Sequence, residues 1–255
     1  MSAVAQIEAD VVTEGRRLVG RAAAGQVPVR LLGGVAIRLH APDDLPAAFC
    51  RSYKDLDFVA ARGASAVAAR FFEEAGYAGH AAFNALNGKE RLLFFDEGNG
   101  RQLDVFVGSF RMCHAVPVAD RLELETATIP LAELLLTKLQ VVELNEKDVR
   151  DALALFHGHV VADEDREAVN AAVVASLCAE DWGLWRTITA NLAQIRDRLG
   201  NYEIAAAEKA GIAGKVDRLL DRIEEEPKSR SWKLRAKIGD RKRWYEVPEE
   251  VEGGP

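Results

Sequence analysis

Lys54-Asp55-Leu56-Asp57-Phe58-Val59 sets two carboxylates one apolar residue apart at the head of a short apolar run. On a β-strand, residues i and i+2 point to the same face, so Asp55 and Asp57 are expected side by side near a strand end. Neighbouring carboxylates repel unless a cation lies between them. Downstream, Leu103-Asp104-Val105-Phe106-Val107 reads as a second acidic strand, and pairing beside the first would bring a third carboxylate to the same spot. An all-oxygen donor set of this kind suits Mg²⁺ or Mn²⁺. Two such ions about 3.5–4 Å apart activate an attacking oxygen and stabilise a leaving phosphate oxygen. Taken singly, each Asp fits a solvated strand edge or a turn acceptor equally well.

Upstream, Pro28-Val29-Arg30-Leu31-Leu32-Gly33-Gly34-Val35-Ala36-Ile37-Arg38-Leu39-His40 reads as a short strand that breaks at two glycines into a helix. A strand, a glycine turn and a helix N-terminus expose backbone N–H groups to a phosphate, with the helix dipole adding a favourable partial charge. A tight turn without a ligand accounts for the same residues. The pattern is neither G-x-x-x-x-G-K-[ST] nor G-x-G-x-x-G.

Farther out, the pattern predicts an amphipathic helix over 3–24 and another over 65–76, where Val67, Phe71, Phe72 and Ala75 recur at helical spacing. Segments 91–95 and 101–107 flank Asp96-Glu97-Gly98-Asn99-Gly100, a hairpin signal that puts Asp104 on the returning strand. An edge strand is expected over 122–125, then a helix opened by Pro130 and running to 143. Apolar stripes predict further helices over 147–156, 165–178, 182–199 and 204–225, with Trp182 and Trp185 as packing anchors. His157-Gly158-His159 reads as a helix-end loop, since two histidines without further ligands make a poor metal site. The fold class is therefore α+β: a small mixed β-sheet flanked by helices, followed by a helical C-terminal region. The expected domains are a sheet-containing core over 1–125, a helical domain over 126–226 that completes a cleft, and a tail over 227–255.

These residues and their order resemble the nucleotidyltransferases of the DNA polymerase beta superfamily, and most closely the AbiEii-like toxin nucleotidyltransferases. Leu32-Gly33-Gly34 looks like the family's h-G-[G/S] turn, Asp55-Leu56-Asp57 like its D-x-D strand, and Leu103-Asp104-Val105 like its third acidic strand. Leu134-Leu135-Leu136-Thr137-Lys138-Leu139, followed by Lys147-Asp148-Val149-Arg150-Asp151, looks like that group's lysine helix and basic-Asp-x-x-Asp helix. The resemblance spans roughly 29–156. It implies Asp55, Asp57 and Asp104 as ligands of Mg²⁺ or Mn²⁺ shared with the phosphates of an NTP substrate, with Asp104 also the base for the acceptor hydroxyl. It further implies backbone contacts from Gly33 and Gly34 to phosphate, a triphosphate contact from Lys138, and a nucleotide-site role for Asp148 and, less directly, Asp151. Without the resemblance, Lys138 reads as a solvated helix lysine, and Asp148 and Asp151 as carboxylates favoured at a helix start. Many relatives carry Ser where Gly34 stands, so here phosphate positioning is expected from the backbone.

The implied activity is transfer of an NMP from an NTP to an acceptor hydroxyl with release of pyrophosphate. The acceptor would be tRNA, as for toxin-like relatives, or a protein, and a cognate antitoxin would be a partner. Two other readings fit the same residues: a catalytically inactive nucleotide- or partner-binding regulator, and an adenylyltransferase acting on a small antibiotic.

Composition agrees with an ordinary enzyme. At 255 residues, 49% hydrophobic, the chain can bury one substantial core or two modest ones. No apolar run approaches the ~20 residues that span a bilayer, and Glu8, Asp10 and Glu14 do not fit a signal peptide, so the expected location is cytoplasmic with no membrane partner. Cys50, Cys113 and Cys178 are far apart and read as reduced, mostly buried thiols. The net charge is −7, yet 228–243 is basic, with Trp232, Trp244 and Tyr245 nearby. Such a stretch either meets nucleic acid or lies against the acidic remainder of the chain.

Overall fold

Leu31, Leu56, Phe58, Leu103 and Val105 are fully buried, and they come from three adjacent strands of one mixed sheet. The computed structural model describes residues 6–247. Its five-stranded sheet contains β1 (Val29–Leu32), β2 (Leu56–Ala60), β3 (Ala78–Gly79), β4 (Arg91–Asp96) and β5 (Arg101–Val107), in the spatial order β1-β2-β5-β4-β3. β2 and β5 run parallel and every other pair is antiparallel. A parallel pair needs a long crossover, and α3 (Ser65–Glu74), α4 (Ala81–Asn87) and the β4-β5 hairpin supply it. In the hairpin loop the Asp96 carboxylate accepts from Asn99, and Gly100 takes φ +62, a left-handed conformation that glycine adopts without strain.

Two helices begin the chain, α1 (Val11–Ala24) and α2 (Gly33–His40). The C-terminal half is helical: α5 (Leu131–Leu139), α6 (Glu146–Gly158), α7 (Ala171–Glu180), α8 (Trp182–Arg198) and α9 (Ala206–Glu225). A two-stranded ribbon, β6 (Ser109–Arg111) with β7 (Ala115–Pro117), precedes them, and β8 (Val160–Ala162) pairs in parallel with β9 (Ala168–Asn170). Helix α2 packs on both β2 of the sheet and α5 and α6 of the helical half, which brings the glycine turn to the junction. No helix of the described residues is long and apolar enough to cross a membrane.

Several boundaries differ from the expected ones, each for a local reason. The first helix starts at Val11 because Asp10 accepts the Thr13 N–H at 2.8 Å and caps it; residues 3–5 of the expected span lie outside the described residues. Val67 is 52% exposed, since the buried stripe of α3 runs through Ala68, Phe71 and Phe72. Segment 122–125 is not a strand: Ala119–Leu124 forms a 3-10 helix in which Leu122 is buried and Leu124 exposed. The free edge of β1 is closed instead by 127–129, whose Ala127 carbonyl and Ile129 N–H bond Leu31. The helix opened by Pro130 stops at Leu139, because the Asn191 amide of α8 takes the Leu139 and Val141 carbonyls at 2.8 and 2.6 Å. The helix expected from 165 begins at Ala171, since 168–170 is engaged in β9 and the Asn170 side chain caps α7.

The basic stretch 228–243 lies against the body of the protein. Its helix α10 (Arg230–Ala236) puts the Trp232 ring 5.1 Å from Trp185, and Trp244 stands 6.1 Å from Trp182. Arg235 stacks over Trp182 at 4.5 Å, and Asp240 pairs with Arg186 at 3.3 Å. These aromatic residues are packing contacts, as expected for Trp182 and Trp185. Residues 248–255 of the expected tail lie outside the described residues.

His40 ends α2 under the helical half, with its Nε2 2.7 Å from Thr128 Oγ1 and its ring 5.8 Å from that of His159. Burial, and secondarily the neighbouring His159, push its pKa down to about 4 from 6.5. The folded chain therefore resists a proton that the unfolded chain accepts, so the stability His40 permits is complete above pH 6.5 and is lost as pH falls from 6.5 toward 4. The expected loss across that window is on the order of 1–3 kcal/mol. Urea titrations at pH 7 and 4.5 check this: His40→Gln should lose distinctly less stability than the parent, and equal losses would refute it.

Candidate active site

Pairing of β1 with β2 sets Leu32 opposite Asp57, so the glycine turn leaves β1 directly over that carboxylate. Gly33 has φ +71, and a Cβ on it would stand 2.3 Å from Asp57 Oδ2. Backbone conformation and space both demand glycine there. The next helix begins without a side-chain cap, since its N-cap residue is Leu32, so its first backbone N–H groups have no side-chain acceptor.

Parallel pairing of β2 with β5 puts Asp57 beside Asp104 in register. Asp104 is buried and held: Arg91 donates to its Oδ1 at 2.8 Å and Gln102 to its Oδ2 at 2.7 Å. Asp57 is half-buried, and its pKa is raised to about 7 by desolvation first and then by the Asp104 charge, with Asp55 adding to the repulsion and Lys138 and Arg91 opposing it. Asp55 is exposed, one residue before the strand. Thus Asp57 and Asp104 stand together while Asp55 lies at the rim, and among the described residues no three His, Cys, Asp or Glu side chains are grouped to hold an ion. The Asp57–Asp104 pair nevertheless fits a divalent cation chemically: it is an oxygen-donor pair whose buried negative charge is incompletely neutralised.

The second cluster lies across the turn. Lys138, in the last turn of α5, is 3.0 Å from Asp151 and 3.6 Å from Asp148 of α6. Spacing of i and i+3 puts both aspartates on one helix face. Burial raises the pKa of Asp148, opposed chiefly by Lys138. Asp151, 1% exposed, also receives Arg51, whose Nε and Nη2 donate to its two carboxylate oxygens at 2.7 and 2.6 Å. The Arg51 guanidinium stacks over the Tyr53 ring at 4.3 Å and lies on the glycine turn. All the site residues anticipated except Asp55 therefore fall in two connected clusters on either side of Gly33-Gly34.

Arg51, Tyr53, Arg91 and Gln102 were not anticipated. Arg51 sits in a loop without periodicity and meets its partner 100 residues away. Arg91 and Gln102 were readable only as strand residues on the face of Asp104, and that face is also where a cavity opens. About 680 Å³ in volume, it is lined by the cations Arg62, Lys89, Arg91 and Arg111 and by the carboxylates of Glu90 and Glu246, the last paired with Arg111 at 2.8 Å. Arg91 joins cavity to carboxylates, lying 5.2 Å over Phe106 while paired to Asp104.

His159 ends α6, and the His157-Gly158-His159 motif forms no metal site among the described residues. Cys113 and Cys178 are buried and Cys50 is exposed, all three free.

No family model matches the chain, and no curated protein matches it. Among solved structures, it is similar to an antigenic nucleotidyltransferase-like protein from Paracoccidioides brasiliensis, at 12% identity and a TM-score of 0.42 over 87% of this chain and 95% of that one. So loose a superposition decides neither fold nor chemistry, which rest on the residues above.

Proposed function

We propose that this protein transfers a nucleoside monophosphate from an NTP to an acceptor hydroxyl, releasing pyrophosphate. The observation that carries the reading is the in-register Asp57–Asp104 pair beneath an uncapped glycine turn. Gly33 and Gly34 offer backbone N–H groups to phosphate oxygens. Lys138 adds positive charge on the side where the triphosphate would lie. Asp57 and Asp104 would hold Mg²⁺ or Mn²⁺, and the ion would supply neutralisation of the carboxylate and phosphate charge. Arg91 and Gln102 fix the orientation of Asp104.

The cavity beside Arg91 is where the acceptor would enter; its four lining cations outnumber Glu90 and Glu246, a balance that suits an anionic acceptor such as RNA better than a polycationic antibiotic. Resemblance to the AbiEii-like enzymes makes tRNA the first acceptor to try and a cognate antitoxin the partner to seek. Incubation with each α-labelled NTP, Mg²⁺ or Mn²⁺, and total cellular RNA and protein tests the reading. Label on an RNA or protein band supports it and names the acceptor class; no label with any NTP favours the inactive, partner-binding alternative or a small-molecule acceptor.

A further inference from the structure

We propose that Arg51 is a phosphate-binding residue of this site, a role resting on the nucleotidyl-transfer reading above. A Cβ on Gly34 would lie 2.1 Å from Arg51 Nη2 and 2.9 Å from Tyr53 Cδ1, so the guanidinium is packed directly on the turn. Gly34 needs no positive φ; it is the guanidinium that requires glycine there. A guanidinium carries five N–H donors. In Arg51, Nε and one Nη2 hydrogen serve Asp151, and one Nη1 hydrogen serves the Ser52 carbonyl at 3.1 Å. One N–H on each terminal nitrogen is left over, beside backbone N–H groups that themselves lack a side-chain acceptor.

The guanidinium is also pre-organised. Its partner carboxylate is buried, Tyr53 supports its plane, and its side chain is only 14% exposed. Little rotamer freedom remains to be lost when a phosphate arrives, and a fixed planar fork suits phosphate oxygens better than a mobile ammonium. Asp151 is thereby a positioning residue, orienting Arg51 over the turn and Lys138 beside it.

Binding of inorganic tripolyphosphate and of ATP to the full chain, measured by calorimetry with Mg²⁺ present, tests the role. Arg51→Ala should weaken both on the order of 10- to 100-fold, the worth of hydrogen bonds to a charged group. Arg51→Lys, which retains a cation for Asp151, should fold as the parent does and bind at an intermediate level. Gly34→Ala should displace the guanidinium and weaken binding in the parent, yet cost much less in the Arg51→Ala background. If the parent binds and a folded Arg51→Ala variant binds equally well, Arg51 is structural only and the inference falls alone. If the parent binds neither probe, the nucleotidyl-transfer reading falls with it.

Discussion

Asp57→Asn is expected to make the protein inactive and more stable at once. On the activity side, losing one member of the carboxylate pair should reduce labelled-nucleotide transfer on the order of 10³-fold or more. On the stability side, the folded chain holds a proton on Asp57 up to about pH 7, whereas the unfolded chain releases it above 3.8. The penalty that Asp57 imposes on folding is therefore absent below pH 3.8, grows between 3.8 and about 7, and is constant above. A shift of that size corresponds to a ceiling of about 4 kcal/mol, and partial contact with water reduces the expected gain to about 1–3 kcal/mol. Denaturation in EDTA at pH 4, 6 and 8 checks it: the variant should match the parent at pH 4 and exceed it progressively at 6 and 8. A variant less stable than the parent at pH 8 would show that the two carboxylates are not an uncompensated pair. Such a trade of stability for charge is what a working site is expected to carry.

Asp151→Ala should have the opposite effect on the fold. It removes the buried acceptor that holds Arg51 and Lys138 apart, leaving two cations near one another with only Asp148, 3.6 Å from Lys138, to answer them. Removing one partner of a buried ion pair typically costs about 3–5 kcal/mol. Asp151→Asn, which keeps one acceptor oxygen, should lose less. Urea midpoints with unchanged denaturant slope measure both, and a loss below about 1 kcal/mol for Asp151→Ala would mean that water replaces the carboxylate readily.

Part of this architecture was legible along the chain. The turn residues 96–100 placed the hairpin of 91–95 and 101–107 correctly, and Gly33-Gly34 marked the passage from strand to helix, because local conformation depends on nearby residues. The i and i+2 rule also suggested that Asp55 would accompany Asp57, but β2 begins only at Leu56, and a residue outside the ladder is not bound to its face. The end of α5 was hidden because its carbonyls are claimed by Asn191, which lies 52 residues away from Leu139. The edge strand expected over 122–125 is replaced by a 3-10 helix, and the edge of β1 is occupied by 127–129 instead, which only the tertiary structure shows.

By itself, then, the sequence determined most of the longer helices, the β4-β5 hairpin and the glycine turn, through short-range periodicity and backbone sterics, whereas positions 57, 104 and 138 were singled out by their resemblance to a family's motifs. The tertiary structure alone decided that Asp57 and Asp104 stand in register while Asp55 stays at the rim, that Arg51 reaches across 100 residues to Asp151 and rests on Gly34, and that Arg91 links the carboxylates to a charged cavity. Those contacts depend on which surfaces meet after the chain closes its long loops. No local pattern encodes the meeting of charged side chains that far apart in sequence.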